Sequence, residues 1–209
     1  MRKFTIFILF SVHLFILPAN LSGQNVDIEL LKQVNHSLPE MKPVSSFLSE
    51  TAMYLNLALP VIVGGYGLIK HDDEVLKDAV YIAFASGMNL AATYTLKRSI
   101  SRDRPFVTYP YDISPYQDLK SYSMPSGHTS SCFATATALT LKYPEWYVYV
   151  PAYLWATSVG VSRMHLGVHY PSDVLAGAVL GVGSAFLSYK INQWFWKSYD
   201  CKNWKLIKK

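Results

Sequence analysis

The chain has 209 residues, which gives room for one domain and little more. Hydrophobic residues make up 51% and charged residues only 16%, against about 25% in an ordinary soluble domain, so disorder and coiled coils are excluded and an apolar, helix-rich, membrane-associated protein is expected. The net charge of +5 includes Arg2 and Lys3, and no basic run alternates with aromatics, so nucleic acid is not the expected partner. Cys132 and Cys201 build neither a disulfide framework nor a zinc pair.

The N-terminus opens Met-Arg-Lys, runs apolar from Phe4 to Leu17, then passes Pro18 to the small polar stretch Leu21-Ser22-Gly23-Gln24. This is the layout of a secretory signal over residues 1–23, with an uncleaved anchor helix as the alternative because Gly23 departs from an Ala-x-Ala site. Residues 24–50 contain an amphipathic stripe, apolar at 26, 28, 30, 31, 34 and 38, which predicts a short interfacial helix ended by Pro39. Thr51 to Ile69 carries no charge and is long enough to cross a bilayer, which takes about 20 residues. Its Gly64-Gly65-x-Gly67 cluster lacks the flanking features of a nucleotide loop and predicts close helix packing instead. Further apolar stretches follow at 79–96, 129–141, 146–161 and 174–189, short spans that a tilted bundle accepts. No β-type alternation persists, so residues 51–190 are predicted to form an all-α, membrane-embedded bundle, five to six helices in all, with one polar loop region from Ser99 to Tyr122.

If residue 25 starts on the outer side, alternating spans bring Lys97–Pro105, Ser123–His128 and Ser162–Asp173 together on that side. The tail 191–209 then lies in the cytoplasm with Lys197, Lys202, Lys205, Lys208 and Lys209, as the positive-inside preference asks. Lys97, Arg98, Arg102 and Arg104 run against that preference, an exception that an anionic target explains.

Each cluster has a chemistry and a plainer alternative. Lys97 and Arg104, seven apart, share one face if the helix continues to Pro105, and an ammonium with a planar guanidinium suits a phosphate; a snorkelling basic cap is the alternative. Ser126-Gly127-His128 precedes an apolar helix whose exposed N–H groups make an anion seat, with His128 placed to donate a proton; a simple capping turn is the alternative. Pro171 suits the first position of a helix, which puts Asp173 in its first turn, within reach of the His169 ring. Zinc binding by His128, His165 and His169 is a further alternative, disfavoured by the surrounding cations.

Taken together, Lys97 with six residues before Arg104-Pro105, then Pro125-Ser126-Gly127-His128, then Ser162-Arg163 with five residues before His169 and three more before Asp173, closely resemble the type 2 phosphatidic acid phosphatase family, which includes vanadium haloperoxidases. The resemblance spans about residues 51 to 190 with every motif position occupied. It implies that Lys97, Arg104 and Arg163 hold phosphate oxygens with help from Ser126 and the Gly127 backbone. His169 would attack phosphorus to give a phosphohistidine, Asp173 would fix its ring, and His128 would protonate the leaving alcohol. No cofactor or metal is needed for such chemistry.

The implied enzyme is a phosphatase of membrane lipid phosphates in a bacterial inner membrane, its site facing the periplasm and the bilayer its setting. Its implied substrates are phosphatidic acid, phosphatidylglycerol phosphate, undecaprenyl diphosphate or lipid A phosphates. A soluble periplasmic acid phosphatase or haloperoxidase, and a non-catalytic lipid-binding or transport protein of the same fold, are the alternatives.

Overall fold

The computed structural model describes residues 21–207. Residues 1–20 of the expected signal or anchor over 1–23 lie outside them. Among the described residues all regular structure is helical: α1 (Leu21–His36), a 3₁₀ turn (Pro39–Met41), α2 (Lys42–Lys70), α3 (Asp73–Ile100), the single turn α4 (Pro105–Thr108), α5 (Gly127–Lys142), α6 (Trp146–His165) and α7 (Pro171–Ile207).

The five expected spans each fall inside one helix, but the helices run further. α2 starts at Lys42, not Thr51, and passes residue 50 without a break. Its added first turns hold Ser45, Ser46 and Ser49, all buried, so a hydropathy window misses them although they pack in the bundle. α3 starts where Asp72 accepts from the N–H groups of Glu74 (3.0 Å) and Val75 (3.2 Å), the standard side-chain cap for orphan donors. α7 begins at Pro171, as expected, and continues unbroken to Ile207, into the Lys-rich tail. Among the described residues, two segments are long and apolar enough to cross a membrane, Pro39–Lys70 and Pro171–Lys197.

Burial runs opposite to that of a water-soluble bundle. The interior is built from small and polar side chains, including Ala52, Ala85, Ala134, Ala136, Ala138, Ser130 and Thr137. Large apolar side chains such as Tyr54, Val61, Ile62, Val80, Leu154, Leu175 and Phe186 face outward. Small residues let helices approach where lipid removes the hydrophobic drive, and an apolar girdle of this extent needs a bilayer to cover it, which disfavours the soluble alternative. The chain is therefore read as a membrane protein.

Gly177 and Gly181 of α7 mark its closest approach to another helix. A Cβ at Gly177 would stand 2.6 Å from the Ser126 carbonyl oxygen, and one at Gly181 would collide with the carbonyl of Ser130. α7 therefore lies directly against the first turns of α5, which brings Asp173 beside Ser126–His128. The Gly64–Gly67 cluster packs α2 on α3 as expected at Gly67, where an added Cβ would meet Leu76 at 3.0 Å. The N-termini of α2, α5 and α7 and the C-termini of α3 and α6 meet at one end of the bundle, where all three motif clusters lie.

Candidate active site

α3 does not continue to Pro105. It stops at Ile100, Ser101 takes a left-handed conformation (φ 50°), and the chain turns into an extended segment in which Arg104, as the residue before a proline, has ψ 155°. Lys97 and Arg104 therefore reach the site from a helix end and from a strand-like segment, not from one helical face. The break is useful: Arg102 and Arg104, two apart on an extended chain, serve different partners.

Lys97, Arg104, Gly127, His128, Arg163 and His169 line one cavity of about 410 Å³. Ser121, Thr93 and Ser131 add hydroxyls to its wall, and Met53, Leu57, Leu90 and Tyr94 complete it on the α2 and α3 side. Two expected residues stand behind the wall. The Ser126 hydroxyl is buried against the Thr129 hydroxyl at 2.9 Å, so Ser126 shapes the α5 N-terminus from behind rather than meeting a ligand in this state. Asp173, fully buried, stands behind His169.

Arg104 is held by the Ser121 carbonyl (2.7 Å) and hydroxyl (2.9 Å) and the Val168 carbonyl (2.8 Å). Its Nη1 lies 3.4 Å from His169 Nε2. A guanidinium has only donors, so this contact requires a lone pair on Nε2. The proton of a neutral His169 is then on Nδ1, which faces Asp173 Oδ2 at 3.5 Å. That separation is within ion-pair range but too long for a good hydrogen bond, and Nδ1 has no closer partner. The tautomer thus presents an unprotonated Nε2 to the cavity.

The cavity's electrostatics follow from three cations without a facing carboxylate. Burial, then the neighbouring arginines, pushes the Lys97 ammonium down to about 8. Burial pushes the Arg104 and Arg163 guanidiniums down to about 10, and Arg163 also feels Arg104. His128 is pushed down to about 3, first by burial and then by Arg163, Arg104 and Lys97; His169 moves down for the same reasons. Arg163 Nε is buried without a hydrogen-bond partner, while its Nη1 donates to Ser49 of α2. The N-terminal end of α5 adds its own partial positive charge. Such a site is tuned for a multiply charged anion.

One support is invisible in the motif spacing. Arg102 forks between Asp173 Oδ1 and Asp27 Oδ2, each at 2.8 Å, and lies 3.8 Å above the Tyr170 ring. Asp27, on α1, also accepts from the Ser172 N–H at 2.9 Å. Asp173 Oδ2 accepts from the Tyr170 N–H at 2.9 Å. The carboxylate behind His169 is therefore fixed by α1, a segment the motif resemblance does not cover. His165 is not part of a metal cluster with His128 and His169: its ring contacts the Ser45 hydroxyl and the Ser37 carbonyl, both at 2.7 Å, away from the cavity.

A cavity lined by three cations and two histidines at one end of a helical bundle with an apolar outer face defines a class, membrane proteins with a site suited to an anion. Residues 78–197 match the PAP2 superfamily, and the chain belongs to it. A protein named lipid A 1-phosphatase from Porphyromonas gingivalis is 35% identical over 138 residues, 65% of this chain but only 27% of that protein, so the chain spans about a quarter of that relative's length. A protein named undecaprenyl-diphosphatase from Sulfolobus acidocaldarius is 29% identical over 198 residues, covering 91% of this chain and 93% of that one. In structure the chain is similar to a transmembrane PAP2-type phosphatidylglycerolphosphate phosphatase from Bacillus subtilis, with a TM-score of 0.72, 27% identity, and 92% and 97% of the two chains covered.

Proposed function

We propose that this protein is a metal-independent phosphatase that hydrolyses a phosphomonoester or diphosphate of a membrane lipid through a phosphohistidine. The observation that carries this reading is the convergence of Lys97, Arg104, Arg163, His128 and His169 on one cavity whose α2 and α3 side carries the apolar Met53, Leu57, Leu90 and Tyr94. The cations hold the nonbridging phosphate oxygens. His169 Nε2 attacks phosphorus, the bond from phosphorus to the lipid oxygen breaks, and His128 gives that oxygen a proton. Burial and then the cavity's cations keep His128 neutral in the free protein; the incoming phosphate offsets the cations, so proton uptake at His128 accompanies binding. Water then attacks the phosphohistidine, His128 takes its proton, and inorganic phosphate leaves. Asp173 carries the charge that develops on the His169 ring.

The substrates in this reading present a terminal phosphate at the headgroup level, and the relatives' names, lipid A 1-phosphatase and undecaprenyl-diphosphatase, point to lipid phosphates too. Placing the cavity on the outer face of a bacterial inner membrane leaves Lys190, Lys197, Lys202 and Lys205, at the far end of α7, in the cytoplasm. The test is phosphate release by the purified protein in detergent from phosphatidic acid, phosphatidylglycerol phosphate, undecaprenyl diphosphate and lipid A. Turnover of at least one, unaffected by excess EDTA, inhibited by vanadate and lost in His169→Ala, is expected. Metal-dependent turnover, or turnover retained in His169→Ala, overturns the mechanism. Labelling of Cys201 from outside intact cells would reverse the orientation.

A further inference from the structure

Beside the catalytic cavity lies a second hollow, of about 490 Å³, lined by Tyr94, Lys97, Arg98, Lys120, Ser121 and Tyr122. It shares Tyr94, Lys97 and Ser121 with the catalytic cavity, so the two are neighbours across the Lys97 side chain. Lys97 donates to the carbonyls of Tyr122 (2.6 Å) and Ser123 (3.2 Å), which holds its amine at this boundary. The lining includes three cations and no carboxylate. Arg102, Arg104 and Arg163 are committed to Asp27 and Asp173, to the loop and His169, and to Ser49. Arg98 and Lys120 have no such commitment: Arg98 rests on the Tyr94 ring at 4.9 Å, a contact that leaves its in-plane N–H groups open, and Lys120 forms no ion pair among the described residues.

We propose that this hollow is a second anion subsite, in which Arg98 and Lys120 bind another phosphoryl group of the same substrate while the first sits against His169. The proposal rests on the phosphatase reading and narrows it to lipids that carry two phosphoryl groups, either as a diphosphate or as two phosphates on one headgroup. One phosphate dianion in the catalytic cavity already meets Lys97, Arg104 and Arg163. A second needs cations of its own, and Arg98 and Lys120 are the ones that adjoin it.

The experiment compares kcat/KM for farnesyl monophosphate and farnesyl diphosphate, which share a tail, and for phosphatidic acid and phosphatidylglycerol phosphate, using the full-length protein in detergent. In the Arg98→Ala, Lys120→Ala double variant, the second member of a pair is expected to lose about tenfold or more, the worth of about 1.4 kcal/mol, while the first changes little. Loss confined to the farnesyl pair identifies the diphosphate, and loss confined to the glycerolipid pair identifies the divided headgroup. Equal loss on all four, no loss on any, or the same selective loss in Lys70→Ala, a cation at the far end of α2, overturns the subsite. Calorimetric binding of methylenediphosphonate against inorganic phosphate separates the two readings: the wild type is expected to bind the diphosphonate more tightly and the double variant to lose that preference. Absence of turnover with the preference intact defeats the phosphatase reading alone, and absence of the preference defeats the subsite alone.

Discussion

Lys97 stands in the catalytic cavity with its ammonium depressed to about 8, so its charge is lost within the range in which a phosphatase is assayed. Above that pH the free protein lacks one of its phosphate cations, and kcat/KM is expected to fall with an alkaline limb near pH 8. Lys97→Arg should move that limb upward, because a guanidinium keeps its proton, and a limb unmoved by the substitution would assign the titration elsewhere. The same burial acts on His128 at the acid side. Its imidazole is neutral when folded down to about pH 3, whereas the unfolded chain binds that proton near 6.5. Between those values the unfolded state holds more protons, so stability falls as pH falls through this window. Thermal midpoints in detergent should therefore drop from pH 6.5 downward, with a shallower slope in His128→Gln; an equal slope in both would show that other groups set it. Arg102 holds the carboxylate behind His169 with one arm and Asp27 of α1 with the other. Arg102→Lys keeps the charge but loses the fork, and kcat is expected to fall about 10- to 100-fold, the scale known for carboxylates and their partners that orient metal-bound histidines, with little change in KM. A rise in KM alone would place Arg102 in substrate binding.

At the scale of elements, the α5–α7 crossing sets the distance between the helix that carries His128 and the one that carries Asp173. Gly177→Val puts methyl groups where the Ser126 carbonyl stands, and overpacking of this kind costs about 1–3 kcal/mol. The expected result is a lower thermal midpoint together with lost turnover. Gly183→Ala, on the same helix with open space around it, should be neutral or slightly stabilising. Equal behaviour of the two variants would remove the crossing from the account. The elements that carry the motif were legible because their chemistry lies at helix ends, and Pro171 and the Ser-Gly turn fix two of those ends locally. The break at Ile100 was not, since nothing in Lys97–Pro105 distinguishes a continuing helix from a left-handed Ser101. The Asp27–Arg102 pair was not either: it joins residues 75 apart in the chain, and a lone Asp on an amphipathic helix gives no sign of its partner. Ser126 shows a third limit, because its place in the motif was readable but the direction of its hydroxyl depends on Thr129.

For the molecule as a whole, composition already separated an apolar, membrane-bound bundle from a soluble domain, and the outward apolar girdle around an interior of Ala, Ser and Thr accounts for that composition. What composition does not contain is the opening of the cavity. Met53 and Leu57 of α2 and Leu90 and Tyr94 of α3 line it and are each at least half exposed, so its apolar wall is continuous with the surface that faces lipid. A lipid can therefore arrive sideways, by diffusion within the membrane plane, without passing through water. Encounter is then two-dimensional, and the quantity that sets the rate is the fraction of the surface that is substrate, not the amount of substrate per volume. Adding inert detergent at constant lipid and protein should slow turnover by dilution of that surface, while adding buffer to the same micelles should leave turnover per enzyme unchanged.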